Sequence, residues 1–185
     1  MMNAPTFWSN RPLPLLSACE AHWLFAPGSL TERLTTLGDY ALERLDQHEA
    51  SAGPADAMLL GVPSGTPVWV RTVLMRLDDR PCVTARSVAP VDALDHAWPS
   101  LAGYGGLPLG KILYDDPAIA RTPFECALLA PDEPLDAISR RYASTPTPLR
   151  ARRSTFIRNG SPLVVSECFL PEFWHGFADT ALARA

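Results

Sequence analysis

The chain has 185 residues, 47 % hydrophobic and 19 % charged, which suits one domain (1–185) with one core. A formal net charge of −4 without a basic stripe argues against non-specific nucleic-acid binding. No apolar run approaches the ~20 residues that a membrane span needs, and Pro12–Ala18 is too short and proline-broken for a signal peptide, so the expected compartment is the cytoplasm.

In chain order, Pro5–Leu16 reads as irregular and Trp23–Ala26 as a short apolar run. Ser29-Leu30-Thr31-Glu32 has the form of a capping box, and Leu30, Leu34 and Leu37 keep helical spacing up to a stop at Gly38. The stretch Asp39–His48 is ambiguous. Leu42 and Leu45 fit a helix, while Tyr40, Leu42 and Arg44 alternate as a strand would. After a loop at Ser51–Asp56, Ala57–Val62 is expected as a short strand and Pro63–Pro67 as a turn. Trp69–Leu77 carries the strongest strand signal. A turn at Asp78–Pro81 returns it through Cys82–Val88, making a hairpin.

Gly103–Gly110 is glycine-rich but lacks the lysine-serine ending of a phosphate loop, so it reads as a flexible connection. Leu107–Tyr114 suggests a helical turn, Pro123–Leu129 a strand and Asp132–Tyr142 a surface helix. Asp115-Asp116 fits a helix terminus. Arg152–Ile157 and Leu163–Phe169 flank Asn159-Gly160, which readily takes positive φ, so a second hairpin is expected. Hairpins separated by helices indicate an α+β domain.

The four cysteines form no Cys-x-x-Cys pair and sit in apolar stretches, as buried free thiols would. The four histidines, His22, His48, His96 and His175, have neither metal-ligand nor catalytic-triad spacing. Two charges stand out. In a strand alternate residues share a face, so Arg71 lies in the apolar row Trp69, Val73, Met75, Leu77, and Glu167 in the row Leu163, Val165, Phe169. Burying either charge alone is costly. They either pair with each other, lie at a wet sheet edge or line an apolar ligand pocket. Arg152 and Arg153 read as solvated arginines or as an anion site.

Several blocks resemble one family in order and spacing: Trp69-Val70-Arg71, Ala85-Arg86-Ser87-Val88-Ala89-Pro90, Leu107-Pro108-Leu109-Gly110 with Leu113-Tyr114, Arg152-Arg153-Ser154, Asn159-Gly160-Ser161-Pro162-Leu163, and Ser166-Glu167-Cys168-Phe169-Leu170-Pro171. With Ser29-Leu30-Thr31 they are similar to chorismate–pyruvate lyases, from about Trp23 to Pro171. The resemblance implies an antiparallel sheet of about six strands with helices packed on one side, and a ligand site under two flap segments. It implies that Tyr40–Leu45 is a strand. It also implies that Arg71 binds the ring carboxylate, that Glu167 lies near the ring hydroxyl, that backbone around Leu109 and Gly110 completes the pocket, and that Leu30 lies under a flap. Leu30 stands where such proteins have methionine, and the stretch 132–148 is longer than the family minimum.

The reaction implied is elimination of pyruvate from chorismate to give 4-hydroxybenzoate, a step toward ubiquinone, catalysed by Glu167 and Arg71. It uses no metal or other cofactor. The partners expected are substrate and product alone, with no nucleic acid and no membrane span, on a monomer. Arg152 or Arg153 is then a candidate for the enolpyruvyl carboxylate. The competing reading is a non-catalytic aromatic-acid sensing domain of the related transcription-regulator fold.

Overall fold

The computed structural model describes residues 6–179 except 102, 104–107 and 132. Helix α1 (Ala18–Phe25) opens with a capping box, in which Ser17 Oγ accepts from the Glu20 amide at 3.2 Å and the Ser17 amide donates to Glu20 Oε2 at 2.7 Å. The apolar run at Trp23 is thus the buried end of a helix. At α2 (Leu30–Thr35) Ser29 Oγ accepts from the Glu32 amide at 3.4 Å, as expected of a cap. The helix gives way at Thr36, before Gly38. Gly38 serves another contact: a side chain there would collide with the Asp78 carboxylate, which accepts from the Asp39 amide at 2.8 Å.

The ambiguous stretch is a strand, β1 (Tyr40–Ser51). Leu42 packs into the cluster on one face and Leu45 into that on the other. Their spacing reflects two faces of a strand rather than one face of a helix. Ala57–Val62, expected as a strand, lies mostly in helix α3 (Pro54–Leu60). Pro54 occupies the first turn, where its missing N–H costs nothing, and Gly61 ends the helix at φ 66°. Ala57 and Leu60 are buried while Met58 is 76 % exposed, a helical period hidden inside a run too short to show it.

Strands β2 (Pro67–Leu77) and β3 (Arg80–Pro90) form the first hairpin, closed by Asp78 and Asp79 with φ 49° and 61°. The short helices α4 (Ala93–His96) and α5 (Gly110–Asp115) follow, then β4 (Ala120–Arg121) and β5 (Glu125–Leu128). α5 falls within the expected helical turn, whose first residue lies outside the described residues, as does half of the glycine-rich connection, residues 104–107. α6 (Pro134–Ser139) replaces the longer surface helix, whose first residue is likewise outside them, and buries Leu135 and Ser139. The second hairpin joins β6 (Arg150–Arg158) to β7 (Ser161–Phe169) through Asn159 and Gly160, with φ 50° and 77°. α7 (Pro171–Gly176) is the last of these elements.

These strands form one antiparallel sheet in the order β1-β2-β3-β7-β6-β4, with β5 also paired to β6. It has seven strands where about six were expected, since β4 contributes only two residues. Helices α1, α2, α4, α5 and α7 pack on the face carrying Trp69, Val73 and Met75. The expected one-sided packing is corrected by α3 and α6, which cover the other face through Ala57, Leu60 and Leu135 against Val70, Val88 and Leu74. Both faces of β2 and β3 must be covered because these strands are apolar on both. At the sheet's margin β1 presents Glu43, Arg44, Asp46, His48 and Glu49, with a register shift between Arg44 and Asp46.

All four cysteines are free. Burial pushes the Cys168 thiol up to about 12 and that of Cys82 to about 11. Burial, and then the neighbouring Asp179 carboxylate, raises Cys19 to about 11. At pH 8 a thiol titrating near 11 is ionised in only about one molecule in a thousand. Ellman's reagent at pH 8 should therefore find no fast-reacting thiol in the native protein, and four after denaturation. A thiol modified within seconds in the folded state would contradict this.

Candidate functional site

The strand register decides what can meet on the sheet. Arg71 on β2 sits opposite Ser87 on β3, Ser87 opposite Val165 on β7, and Val165 opposite Ser154 on β6. The next rung runs Val73, Ala85, Glu167, Arg152. Residues directly opposite in antiparallel strands share a face, so Arg71 and Glu167 stand on one wall, one rung and two strands apart. The wall between them is made of the small residues Val73, Ala85, Ser87 and Val165, and a pocket lies over it. Leu30, Arg71, Leu109, Gly110 and Glu167, expected together at a ligand site, all line this pocket. The sequence left the choice of face open. The pocket meets the face of Arg71 and Glu167.

Two segments cover the wall. One is the start of α2, with Ser29, Leu30 and Thr31. The other is the approach to α5, with Pro108, Leu109 and Gly110. They touch where the Gly110 α-carbon rests against Ser29 Oγ, so closely that a methyl group on residue 110 would collide with the hydroxyl. Leu30 is 3 % exposed, with its side chain in the main core cluster. Leucine in place of methionine keeps this cover dry. Tyr114 and Phe124 close the side of the pocket. Burial, and then the Glu167 charge, raises the Tyr114 hydroxyl above its ordinary range, so it is a neutral group here.

Arg71 is 2 % exposed, as a cation in an apolar row must be if it faces a closed site. The ion-pair partner of Glu167 is Arg152, whose Nε donates to Glu167 Oε2 at 2.6 Å. The reading of Arg152 as a surface arginine or an anion docking group is thereby corrected. It is 1 % exposed, and its Nη1 donates to the carbonyls of Trp23 at 3.1 Å and Ala26 at 3.2 Å. Its guanidinium carbon lies 4.3 Å from the Phe124 ring centre and 5.8 Å from that of Phe169. One residue along, Arg153 faces the other side of the sheet. There it donates to Glu125 at 2.7 Å and stacks 4.2 Å over Trp8. Each arginine is thus already paired with a carboxylate of the protein. Among the described residues no three His, Cys, Asp or Glu side chains converge as metal ligands would.

The family model described as chorismate lyase matches residues 1–178. The chain belongs to the chorismate lyase family. It is 65 % identical over 184 residues to a Burkholderia pseudomallei (strain 1710b) protein named "Probable chorismate pyruvate-lyase 1", covering 100 % of both chains. It is 51 % identical over 173 residues to a protein of the same name from Pseudomonas fluorescens (strain Pf0-1), covering 94 % of each. In shape this chorismate lyase family member also resembles the effector domain of PhnF from Mycobacterium smegmatis. That likeness has TM-score 0.53 at 17 % identity, over 78 % of this chain and 90 % of that one. A GntR-family transcriptional regulator from Bacillus cereus gives 0.53 at 11 %, over 73 % and 94 %. At such identities the likeness concerns the fold alone.

Arg152 is the residue whose part in the site the sequence reading missed. A signal for it existed. A two-residue turn at Asn159-Gly160 puts Arg158 opposite Ser161, and six steps back along each strand put Arg152 opposite Glu167. Replacing one member of a buried ion pair strands the other, at a cost of about 3–5 kcal/mol. Arg152→Met should lower stability by about that much in urea unfolding, since it also orphans two buried carbonyls. A loss below about 1 kcal/mol would mean that Glu167 and the carbonyls find other partners.

Proposed function

We propose that this chain converts chorismate to 4-hydroxybenzoate and pyruvate, in the cytoplasm and toward ubiquinone, with Arg71 and Glu167 as the acting residues. The observation that carries the reading is the placement of a cation and a carboxylate on one apolar wall, two strands or roughly 10 Å apart in backbone spacing. Once both side chains reach inward, that separation suits the carboxylate and the hydroxyl-bearing carbon at opposite ends of one six-membered ring. Family membership and the curated names of the relatives support the same reaction.

In this reading Arg71 grips the ring carboxylate through a two-pronged, charge-assisted contact. Glu167, with Oε2 held by Arg152, turns Oε1 toward the carbon that bears the hydroxyl. That carbon gives its proton to Glu167 as the neighbouring carbon–oxygen ether bond breaks. The electron pair of the breaking ether bond leaves with the enolpyruvyl oxygen, and the electrons of the C–H bond complete the aromatic ring. The departing enolate takes a proton at its methylene carbon and becomes pyruvate. Aromatisation supplies the driving force, so the residues need only orient, exclude water and move one proton. Leu30, Leu109 and Gly110 do the excluding, and the neutral Tyr114 adds no competing charge.

Purified protein dialysed exhaustively against a chelator should still form pyruvate and 4-hydroxybenzoate from chorismate. Binding of 4-hydroxybenzoate with no turnover would instead support a sensing domain. Activity lost with the chelator and restored by a divalent ion would overturn the cofactor-free mechanism.

The two acting residues separate by their effects. Losing one side of a buried charge contact costs about 2–5 kcal/mol, so Arg71→Ala should weaken 4-hydroxybenzoate affinity about 30-fold or more. Glu167→Gln keeps the shape but cannot take the proton, so turnover should fall about 10²–10⁴-fold while the product still binds. Calorimetry beside steady-state rates reads both effects, with folding checked by circular dichroism. Near-normal turnover in Glu167→Gln would remove Glu167 from proton transfer.

A further inference from the structure

Chorismate carries two carboxylates, and the reading above uses only one of them. Arg152 is already paired with Glu167, and Arg153 is paired with Glu125 on the other side of the sheet, so neither offers the second an unpaired charge. Two residues at the far end, Ser154 in the pocket lining and Arg121 beside it, each have a shielded polar atom without a hydrogen bond. Ser154, on β6, is 3 % exposed and lines the pocket, and its Oγ is shielded from solvent without a hydrogen bond. Arg121, on β4, sits opposite Phe156, itself a pocket-lining residue, and so shares the pocket face. Its guanidinium carbon lies 4.1 Å from the centre of the Phe124 ring and 5.9 Å from that of Tyr114, two further lining residues. Among the described residues it makes no ion pair, and its Nη1 is shielded from water without an acceptor. The neighbouring Arg158, by contrast, has Asp116 at 3.2 Å.

A shielded guanidinium N–H that makes no hydrogen bond is expensive, because folding has removed the water that would have accepted it. The cost is recovered when a ligand brings the acceptor. We propose that Arg121 and Ser154 form the subsite for the enolpyruvyl carboxylate of chorismate. This inference rests on the reaction proposed above. The second carboxylate of the substrate brings a second negative charge, and Arg121 supplies a cation for it. Stacking on Phe124 holds the planar guanidinium at the pocket's margin while its N–H groups remain free to bond. Pyruvate then forms at the end of the pocket remote from Arg71, and 4-hydroxybenzoate makes no contact with either residue of the subsite.

The test compares the two ligands. Arg121→Gln should raise the KM for chorismate and lower kcat/KM about 10- to 100-fold, the size of one charge-assisted hydrogen bond, with calorimetric 4-hydroxybenzoate affinity within twofold of the parent. Ser154→Ala removes only a hydroxyl and endangers folding little. It should show the same pattern, reduced to about three- to tenfold. Arg121→Lys, which keeps the charge, should recover part of the loss. If kcat/KM for chorismate stays within twofold of the parent in both Arg121→Gln and Ser154→Ala, the subsite lies elsewhere. Product affinity falling in step with chorismate would make these residues part of the general pocket and overturn the assignment. Failure of the underlying reaction would appear earlier and separately, as absence of turnover in the unsubstituted protein.

Discussion

The pair formed by Arg152 and Glu167 is the constraint around which the site is arranged. Placing both charges in an apolar interior costs several kcal/mol per ion before they attract each other. The chain offsets this with geometry. The β6–β7 hairpin sets the two residues directly opposite, and the two Nη1 hydrogens of the arginine find the carbonyls of Trp23 and Ala26. Those carbonyls belong to the end of α1 and the link into α2, so the arginine that orients Glu167 also anchors the segment covering it. The floor and one part of the roof of the pocket therefore share a fastening.

The rest of the roof depends on an absence of side chain. Ser29 caps α2 and simultaneously rests on Gly110 at the head of α5. A methyl group at 110 would displace the Ser29 hydroxyl from this contact. The requirement comes from close approach rather than from backbone conformation, since Gly110 begins an ordinary helix. This one contact joins two covering segments that are distant in the chain.

Much of this was legible in the residues. Both hairpins followed from strand-forming runs joined by a turn, the second through a pair suited to positive φ, and Arg71 and Glu167 were conspicuous as charges in apolar rows. What was illegible has physical causes. Ala57–Leu60 is too short a run for period alone to separate helix from strand, and Pro54 and Gly61 were the better guides. Leu42 and Leu45 looked helical because β1 buries residues on both sides. The capping box at Ser17 and Glu20 has the same form as the one noticed at Ser29, but it lies in a proline-rich stretch that obscured it. The fates of Arg152 and Arg153 turn on long-range register, which local pattern does not display until the hairpin is counted through.

The charged margin of β1 has a consequence for the behaviour of the protein in concentrated solution. A sheet whose outermost strand were twelve residues of bare, regular backbone would template further chains. Here the register slips between Arg44 and Asp46, and the strand carries Glu43, Arg44, Asp46, His48 and Glu49, with Asp46 paired to His48 at 2.8 Å. The opposite margin is broken into β4 and β5, only two and four residues long. Neither rim offers an incoming strand an uninterrupted, uncharged ladder, so the sheet resists fibril growth at both margins.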